Sequence, residues 1–205
     1  MLKNWTIGNT SELEILDGVL TSVSATSNIT YNNYTTLNQY LEIGIVDDNS
    51  EFTFNAFLRA NFIGNINIQH SYWFQYNNGT NWEIWYEGEN DNEYFLDSYE
   101  NYKDLENASD YEFLNGDVIR IECINNMLEN RYRILKNNIL ISEKTVKDEY
   151  DLSEEELTSS NKNIWIEFND KGGFEFIRVG SNLHKDDYDK YLIPLVGFGD
   201  DFGTF

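Results

Sequence analysis

The 205-residue sequence holds one cysteine, one proline and two histidines, and only 14 Lys and Arg against 36 Asp and Glu. A single Cys123 excludes an intrachain disulfide and leaves the redox compartment open. One Cys with His70 and His184 cannot assemble a structural zinc site of the usual Cys/His type. Pro194 stands alone, so there is no Pro-rich linker. The net charge of −22 argues against wrapping a phosphate backbone or lying on an anionic membrane surface, because like charge is repelled. No stretch approaches the ~18 apolar residues of a membrane span. The opening Met-Leu-Lys-Asn-Trp-Thr-Ile-Gly lacks the apolar run of a signal peptide, so no secretion signal is expected. The Asn-x-Ser/Thr sequons then carry no weight, and localisation stays open. Length alone predicts one domain, or one domain with a tail; the domain is expected over residues 1–183, with 184–205 as a C-terminal strand or docking tail.

Aromatic residues are abundant, at 16 % of the chain, which is too many for a disordered acidic protein. The dominant period is two. Phe52 to Phe62 places Phe52, Phe54, Ala56, Leu58, Ala60 and Phe62 on one face, with Thr53, Asn55, Arg59 and Asn61 on the other, as in a half-buried strand. Tyr72–Tyr76 and Trp82–Tyr86 flank an Asn-Gly turn, and Ile15-Leu16 and Val19-Leu20 flank Asp17-Gly18; both patterns read as hairpins. Val118–Cys123, Tyr132–Leu135 and Ile139–Ile141 are further strands, the last two joined at Lys136-Asn137-Asn138. Ile164–Phe168 and Phe174–Val179 read as a late hairpin around Asp170-Lys171-Gly172-Gly173. Cys123 shares the apolar face of its strand and is expected to be an inert buried thiol. Ser153 with Glu156 fits a capping box, so a short helix is expected near 153–158. Ten to twelve short strands joined by Gly, Asn and Asp turns imply an all-β antiparallel sandwich or barrel. Glu87 to Asp110 carries nine acidic residues, one lysine and Tyr94, Tyr99 and Tyr102, and is either a functional loop or an irregular edge.

Three strings carry a resemblance: Gly116-Asp117-Val118-Ile119-Arg120-Ile121-Glu122, Tyr132 to Ile141, and Trp5 with Leu13 to Leu20. Together they resemble the concanavalin A-like lectin/glucanase superfamily, including laminin-G-like domains, over most of residues 1–180. The resemblance implies a two-sheet antiparallel jelly roll. It implies function less directly, since such domains bind glycans, act as enzymes or make protein contacts.

Glu149-Tyr150-Asp151-Leu152-Ser153-Glu154 has the Glu-x-Asp-x-x-Glu spacing of retaining family 16 glycoside hydrolases. Here that string overlaps the helix cap, a poor setting for a tuned, partly desolvated acid, so no catalytic residue is expected. Trp73, Trp82, Trp85 and Tyr86 cluster on one hairpin. If Trp82, Ile84 and Tyr86 face inward, Trp73, Gln75, Glu83 and Trp85 form an outward platform. Sugars favour such a surface because the C–H face of a pyranose is apolar while amides and carboxylates take its hydroxyls; the alternative is inter-sheet packing. The candidate ligand contacts are therefore Trp73, Glu83 and Trp85, with Tyr94, Tyr99 and Tyr102 from the acidic stretch. Asp47, Asp48 and Asn49, and the pair Asp200 and Asp201, are dense in hard oxygens that suit calcium, or else are solvated acidic turns. The expectation is a non-catalytic domain that binds a neutral glycan or cell-surface molecule, as a homo-oligomer or an array on a particle. A virion or adhesion component is the alternative, and a glycoside hydrolase the third.

Overall fold

The computed structural model describes residues 5–7, 13–23, 26–31, 38–46, 51–60, 62–63, 65–66, 71–78, 80–87, 93–125, 129–147 and 163–180. Within them the chain forms sixteen strands, numbered β1 to β16 in chain order, and two short 3-10 turns. The first sheet contains β1 (Trp5–Ile7), β4 (Ser27–Tyr31), β6 (Thr53–Ala60), β9 (Ser71–Asn77), β10 (Trp82–Glu87), β11 (Glu93–Ser98) and β15 (Asn163–Phe168). Its order is β1-β4-β15-β6-β9-β10-β11. The second contains β2 (Leu13–Leu16), β3 (Val19–Ser22), β5 (Gln39–Val46), β12 (Val118–Asn125), β13 (Glu129–Lys136), β14 (Ile139–Lys147) and β16 (Gly173–Gly180), ordered β14-β13-β12-β5-β16-β3-β2. A separate ribbon pairs β7 (Phe62–Ile63) with β8 (Asn65–Ile66). Every pairing in the two sheets is antiparallel. The expected all-β sandwich is what the chain adopts.

Period-two patterning sets the layers. Phe54, Ala56, Leu58, Tyr72, Phe74, Tyr76, Trp82, Ile84, Tyr86, Ile164, Ile166 and Phe168 of the first sheet face Leu41, Ile43, Ile45, Ile119, Ile121, Cys123, Tyr132, Ile134, Phe174, Ile177 and Val179 of the second in one core. Phe174 meets Phe52, Phe54 and Phe168 edge-on, with ring centroids 5.5, 5.4 and 5.0 Å apart. Each such side chain contributes ~1.5–3 kcal/mol through burial.

The turns follow from residues that tolerate the left-handed region. Asp17 (φ 51) and Gly18 (φ 87) close β2–β3, and Asn137 (φ 50) and Asn138 (φ 66) close β13–β14, as a type I′ hairpin requires. Asn137 also accepts from Val118 N–H at 2.9 Å and donates to Asp117 at 2.7 Å.

Two expectations are corrected, and one left open is decided. Ile164–Phe168 and Phe174–Val179 are not a hairpin: β15 lies between β4 and β6 in the first sheet, and β16 between β5 and β3 in the second. The chain crosses between layers at Gly172 and Gly173. A Cβ there would stand 2.4 Å from the Val46 carbonyl oxygen and 2.3 Å from that of Leu20. Arg59 does not join the polar outer face. Its φ of 58 turns it inward, fully buried, with its guanidinium 5.4 Å from the Tyr72 ring centroid. The acidic stretch is in part a sheet edge, β11, followed by 3-10 turns at Tyr99–Asn101 and Ala108–Tyr111. The helix expected near 153–158, the Glu149–Glu154 string and the segment 184–205 lie outside the described residues. Among the described residues no helix is long and apolar enough to cross a membrane.

Candidate functional site

The outer faces of the sandwich differ in chemistry. On the second sheet an unbroken chain of ion pairs runs Arg178–Glu42–Arg120–Glu122–Arg133–Glu143–Arg131, with N–O distances of 2.8, 3.4, 2.6, 3.4, 3.1 and 3.8 Å. Arg120 also lies over the Tyr40 ring at 3.8 Å. Four of the chain's five arginines stand there, each bound to carboxylates. That face is spoken for by its own charges.

The first sheet is different. Its register aligns Trp165 with Phe57, Phe57 with Trp73, Trp73 with Trp85 and Trp85 with Phe95. Cross-strand neighbours on one face therefore form an aromatic row over β15, β6, β9, β10 and β11, about 19 Å long at ~4.8 Å per strand. Ring centroids along it are 4.8, 5.5, 6.3 and 5.2 Å apart. Exposure rises along the row: Phe57 and Trp165 are buried, Trp73 and Trp85 are half-buried, and Phe95 is 48 % exposed. The open part is thus Trp73, Trp85 and Phe95.

Two residues along each strand lies a polar row. Glu167 pairs with Asn55, Asn55 with Gln75 and Gln75 with Glu83. The two rows are joined by hydrogen bonds. The Trp73 indole N–H donates to Asn55 Oδ1 at 3.3 Å, and the Trp85 indole N–H donates to Glu83 Oε2 at 2.9 Å. Both indoles are thereby held in orientation, while Gln75 makes no side-chain hydrogen bond among the described residues. Half-exposed ring area beside amide and carboxylate groups can take both the apolar C–H face and the hydroxyls of a sugar.

Trp82, Ile84 and Tyr86 are fully buried, and Trp73, Gln75, Glu83 and Trp85 lie together on the opposite face. The tyrosines of the acidic stretch do not join them, which corrects that part of the expectation. Tyr94 stacks on Tyr86 at 6.1 Å, inside the sheet. Tyr99 is buried in the core and donates to Glu112. Tyr102 stacks on Tyr111 at 4.1 Å and on Trp82 at 5.9 Å, and donates to Asp97 Oδ2 at 2.6 Å. Burial and that hydrogen bond push its pKa up to about 12. Asp97 is itself fully buried. It also accepts from Asn101 at 2.6 Å and from Ser142, and it pairs with Lys144 at 3.5 Å, tying the edge of the first sheet to β14 of the second. Tyr94 turns inward because Glu93–Ser98 is a paired strand whose alternate side chains face the core, and Tyr99 and Tyr102 are carried onto the core by the 3-10 turn that follows it. Nothing local in Glu-Tyr-Phe-Leu-Asp-Ser marks which set turns in.

Phe57, Trp165 and Phe95 are the members of the row that sequence reasoning missed. Their alignment depends on which strands are neighbours, and β15 joins β6 from more than 100 positions away. The calcium candidates Asp47, Asp48, Asn49, Asp200 and Asp201 lie outside the described residues. Among the described residues no group of three or more His, Cys, Asp or Glu side chains is arranged to hold a metal ion.

No protein-family model matches the sequence, and no curated protein matches it. Solved structures are similar in fold. β-Agarase B from Zobellia galactanivorans is 10 % identical with a TM-score of 0.56, covering 89 % of this chain and 86 % of that one. The protein BuGH16Bwt is 9 % identical with a TM-score of 0.55 over the same shares. β-Agarase A from Zobellia galactanivorans is 11 % identical with a TM-score of 0.52, covering 85 % and 81 %. The chain shares the two-sheet antiparallel sandwich fold of these structures.

Proposed function

We propose that the outer face of the first sheet is a glycan-binding platform, and that the chain binds carbohydrate without cleaving it. The observation that carries the reading is the aromatic row open at Trp73, Trp85 and Phe95, with Asn55, Gln75 and Glu83 beside it. The ring faces offer stacking area, and the free Gln75 amide offers a donor and an acceptor for hydroxyls. A net charge of −22 favours a neutral or cationic ligand.

The non-catalytic part rests on where the carboxylates stand. The outward positions of the central strands β6 and β9 hold Asn55, Phe57, Trp73 and Gln75, with no acid. Glu83 and Glu167 flank them three strand spacings apart, ~14 Å, beyond the ~5–9.5 Å of glycosidase carboxylate pairs. Among the described residues of this face only Glu87 and Glu93 are cross-strand acidic neighbours, and they sit at the free edge of the sheet.

The test is calorimetric titration with neutral oligosaccharides, together with an assay for reducing ends. The panel includes agarose oligomers, since β-agarase A has been solved in complex with oligoagarose, and β-glucan oligomers. Binding that Trp85→Ala removes while the melting temperature holds supports the reading. Release of reducing ends from laminarin, lichenan or agarose contradicts the non-catalytic part.

A further inference from the structure

The aromatic row is open over only part of its length. Phe57 and Trp165 lie on the outer face of the first sheet, yet they are 4 % and 7 % exposed, so that face is covered over β6 and β15. The open positions are Trp73, Trp85 and Phe95, one on each of β9, β10 and β11. They span two strand spacings, about 10 Å, and β11 is the last strand of the sheet. The two indoles lie along the sheet, because each N–H reaches a side chain of the polar row, Asn55 from Trp73 and Glu83 from Trp85. Along the strands the ring area is one position deep. On β10 Trp85 stands between Glu83 and Glu87, and on β9 Trp73 stands between Ser71 and Gln75.

Phe95 is set differently from the indoles. From Phe57 through Trp73 and Trp85 to Phe95, successive rings are tilted by 14°, 32° and 73°. The first two steps are near the sheet's own twist of roughly 20–25° per strand, and the third is about three times that twist. A bulge accounts for the difference. Ile84 pairs with Asp97 and Trp85 with Phe95, so Leu96 is an extra residue of β11 with nothing opposite it on β10. A bulge bends its strand and re-aims the side chains beside it. This one is anchored from the core side, where buried Asp97 accepts from Asn101, Tyr102 and Ser142 and pairs with Lys144. Phe95 therefore stands nearly perpendicular to Trp85, 5.2 Å away and 48 % exposed, as a wall at the outer end of the row.

We propose that the platform is a slot closed at both ends, and that it takes the terminal sugars of a glycan, not the interior of a long polysaccharide chain. This inference rests on the platform reading above. The floor of Trp73 and Trp85 has room for about two pyranose rings, at one per strand spacing of ~4.8 Å, with Gln75 and Glu83 beside it for their hydroxyls. The interior of a chain must continue in both directions. On one side it meets the cover over Phe57 and Trp165, and on the other the Phe95 ring and the end of the sheet. A terminal disaccharide fits between the two, with its outer C–H edge against Phe95, and the rest of the glycan leaves into solvent without further contact.

The test is calorimetry with neutral agarose and β-glucan oligomers, from disaccharide to hexasaccharide, on the native chain, Phe95→Ala, Phe95→Tyr and Trp85→Ala. Affinity is expected to reach its limit by the trisaccharide and to change less than about twofold from there to the hexasaccharide, since no further area is buried. Phe95→Ala should weaken disaccharide and hexasaccharide by the same factor, about fivefold, while Phe95→Tyr binds as the native chain does. The melting temperature should hold in both, because Phe95 is exposed. A long soluble β-glucan should bind one copy of the protein per chain end. Affinity that climbs through the hexasaccharide, or several copies bound along one chain, overturns the slot, and leaves the platform standing if Trp85→Ala removes that binding. A disaccharide affinity that Phe95→Ala leaves unchanged overturns the wall. Binding by no oligomer of either series removes both readings.

Discussion

Cys123 shows how the core sets the chemistry of one side chain. It is fully buried between the sheets, and burial pushes its thiol from 9.0 up to about 12, with Arg59 pulling the other way. Little thiolate therefore exists at neutral pH, and thiolate is the reactive form. We expect Cys123 to resist a thiol reagent such as Ellman's at pH 8 in the native protein and to react at once in denaturant; rapid native labelling would contradict the packing. The same burial raises the hydroxyls of Tyr72 and Tyr132. Above the thiol's ordinary value the unfolded chain loses a proton that the folded chain keeps. These groups therefore lower stability as pH rises from about 9 toward 12, and alkaline titration of the melting temperature should show that fall. Asp97 is the polar counterpart. Its carboxylate accepts from Asn101, Tyr102 and Ser142 and pairs with Lys144. Asp97→Ala strands those donors and should cost ~3 kcal/mol in denaturant unfolding. A loss below ~1 kcal/mol would mean that the sheet edge is held by other contacts.

Among the elements, the crossing from β15 to β16 is the most constrained. Gly173→Ala places a Cβ 2.3 Å from the Leu20 carbonyl oxygen and 2.8 Å from Val19 Cγ1. Backbone must shift to admit it, and we expect a loss of ~2–4 kcal/mol. A neutral Gly173→Ala would mean that the strands do not approach so closely. This crossing is also where sequence and structure part. Two period-two runs around Gly-Gly read alike whether the chain returns along its own sheet or passes to the other, because local pattern carries no information about the partner strand. The strands themselves were legible, since burial alternates along β9 and β10 as the residue types do. So were the turns, because Asp17-Gly18 and Asn137-Asn138 are residues that accept positive φ. The inward turn of Arg59 was not, as it depends on one left-handed residue late in a strand. Half of the candidate site could be read from the alternation of β10. The rest needed the sheet order, which brings Phe57, Trp165 and Phe95 into line with Trp73 and Trp85.

For the whole molecule, charge and fold divide the labour. The second sheet's outer face balances its arginines within its own ion-pair chain, and the first sheet offers rings, amides and acids. With a net charge of −22 and a Debye length of about 8 Å at physiological salt, polyanions should be repelled. No binding to heparin or DNA is expected in a salt titration from low to physiological ionic strength; saturable binding at physiological salt would mean that the ion-pair chain opens to a partner. A neutral glycan on the aromatic row should bind almost independently of salt, and weakly for a single site, since little area is buried. Several copies on one particle would then supply avidity. The most direct test of the platform is titration of neutral oligosaccharides against the native chain, Trp73→Ala and Trp85→Ala, with melting temperatures recorded for each. The account predicts that each substitution weakens binding about tenfold or more while the fold persists. Unchanged affinity in both folded variants would contradict it.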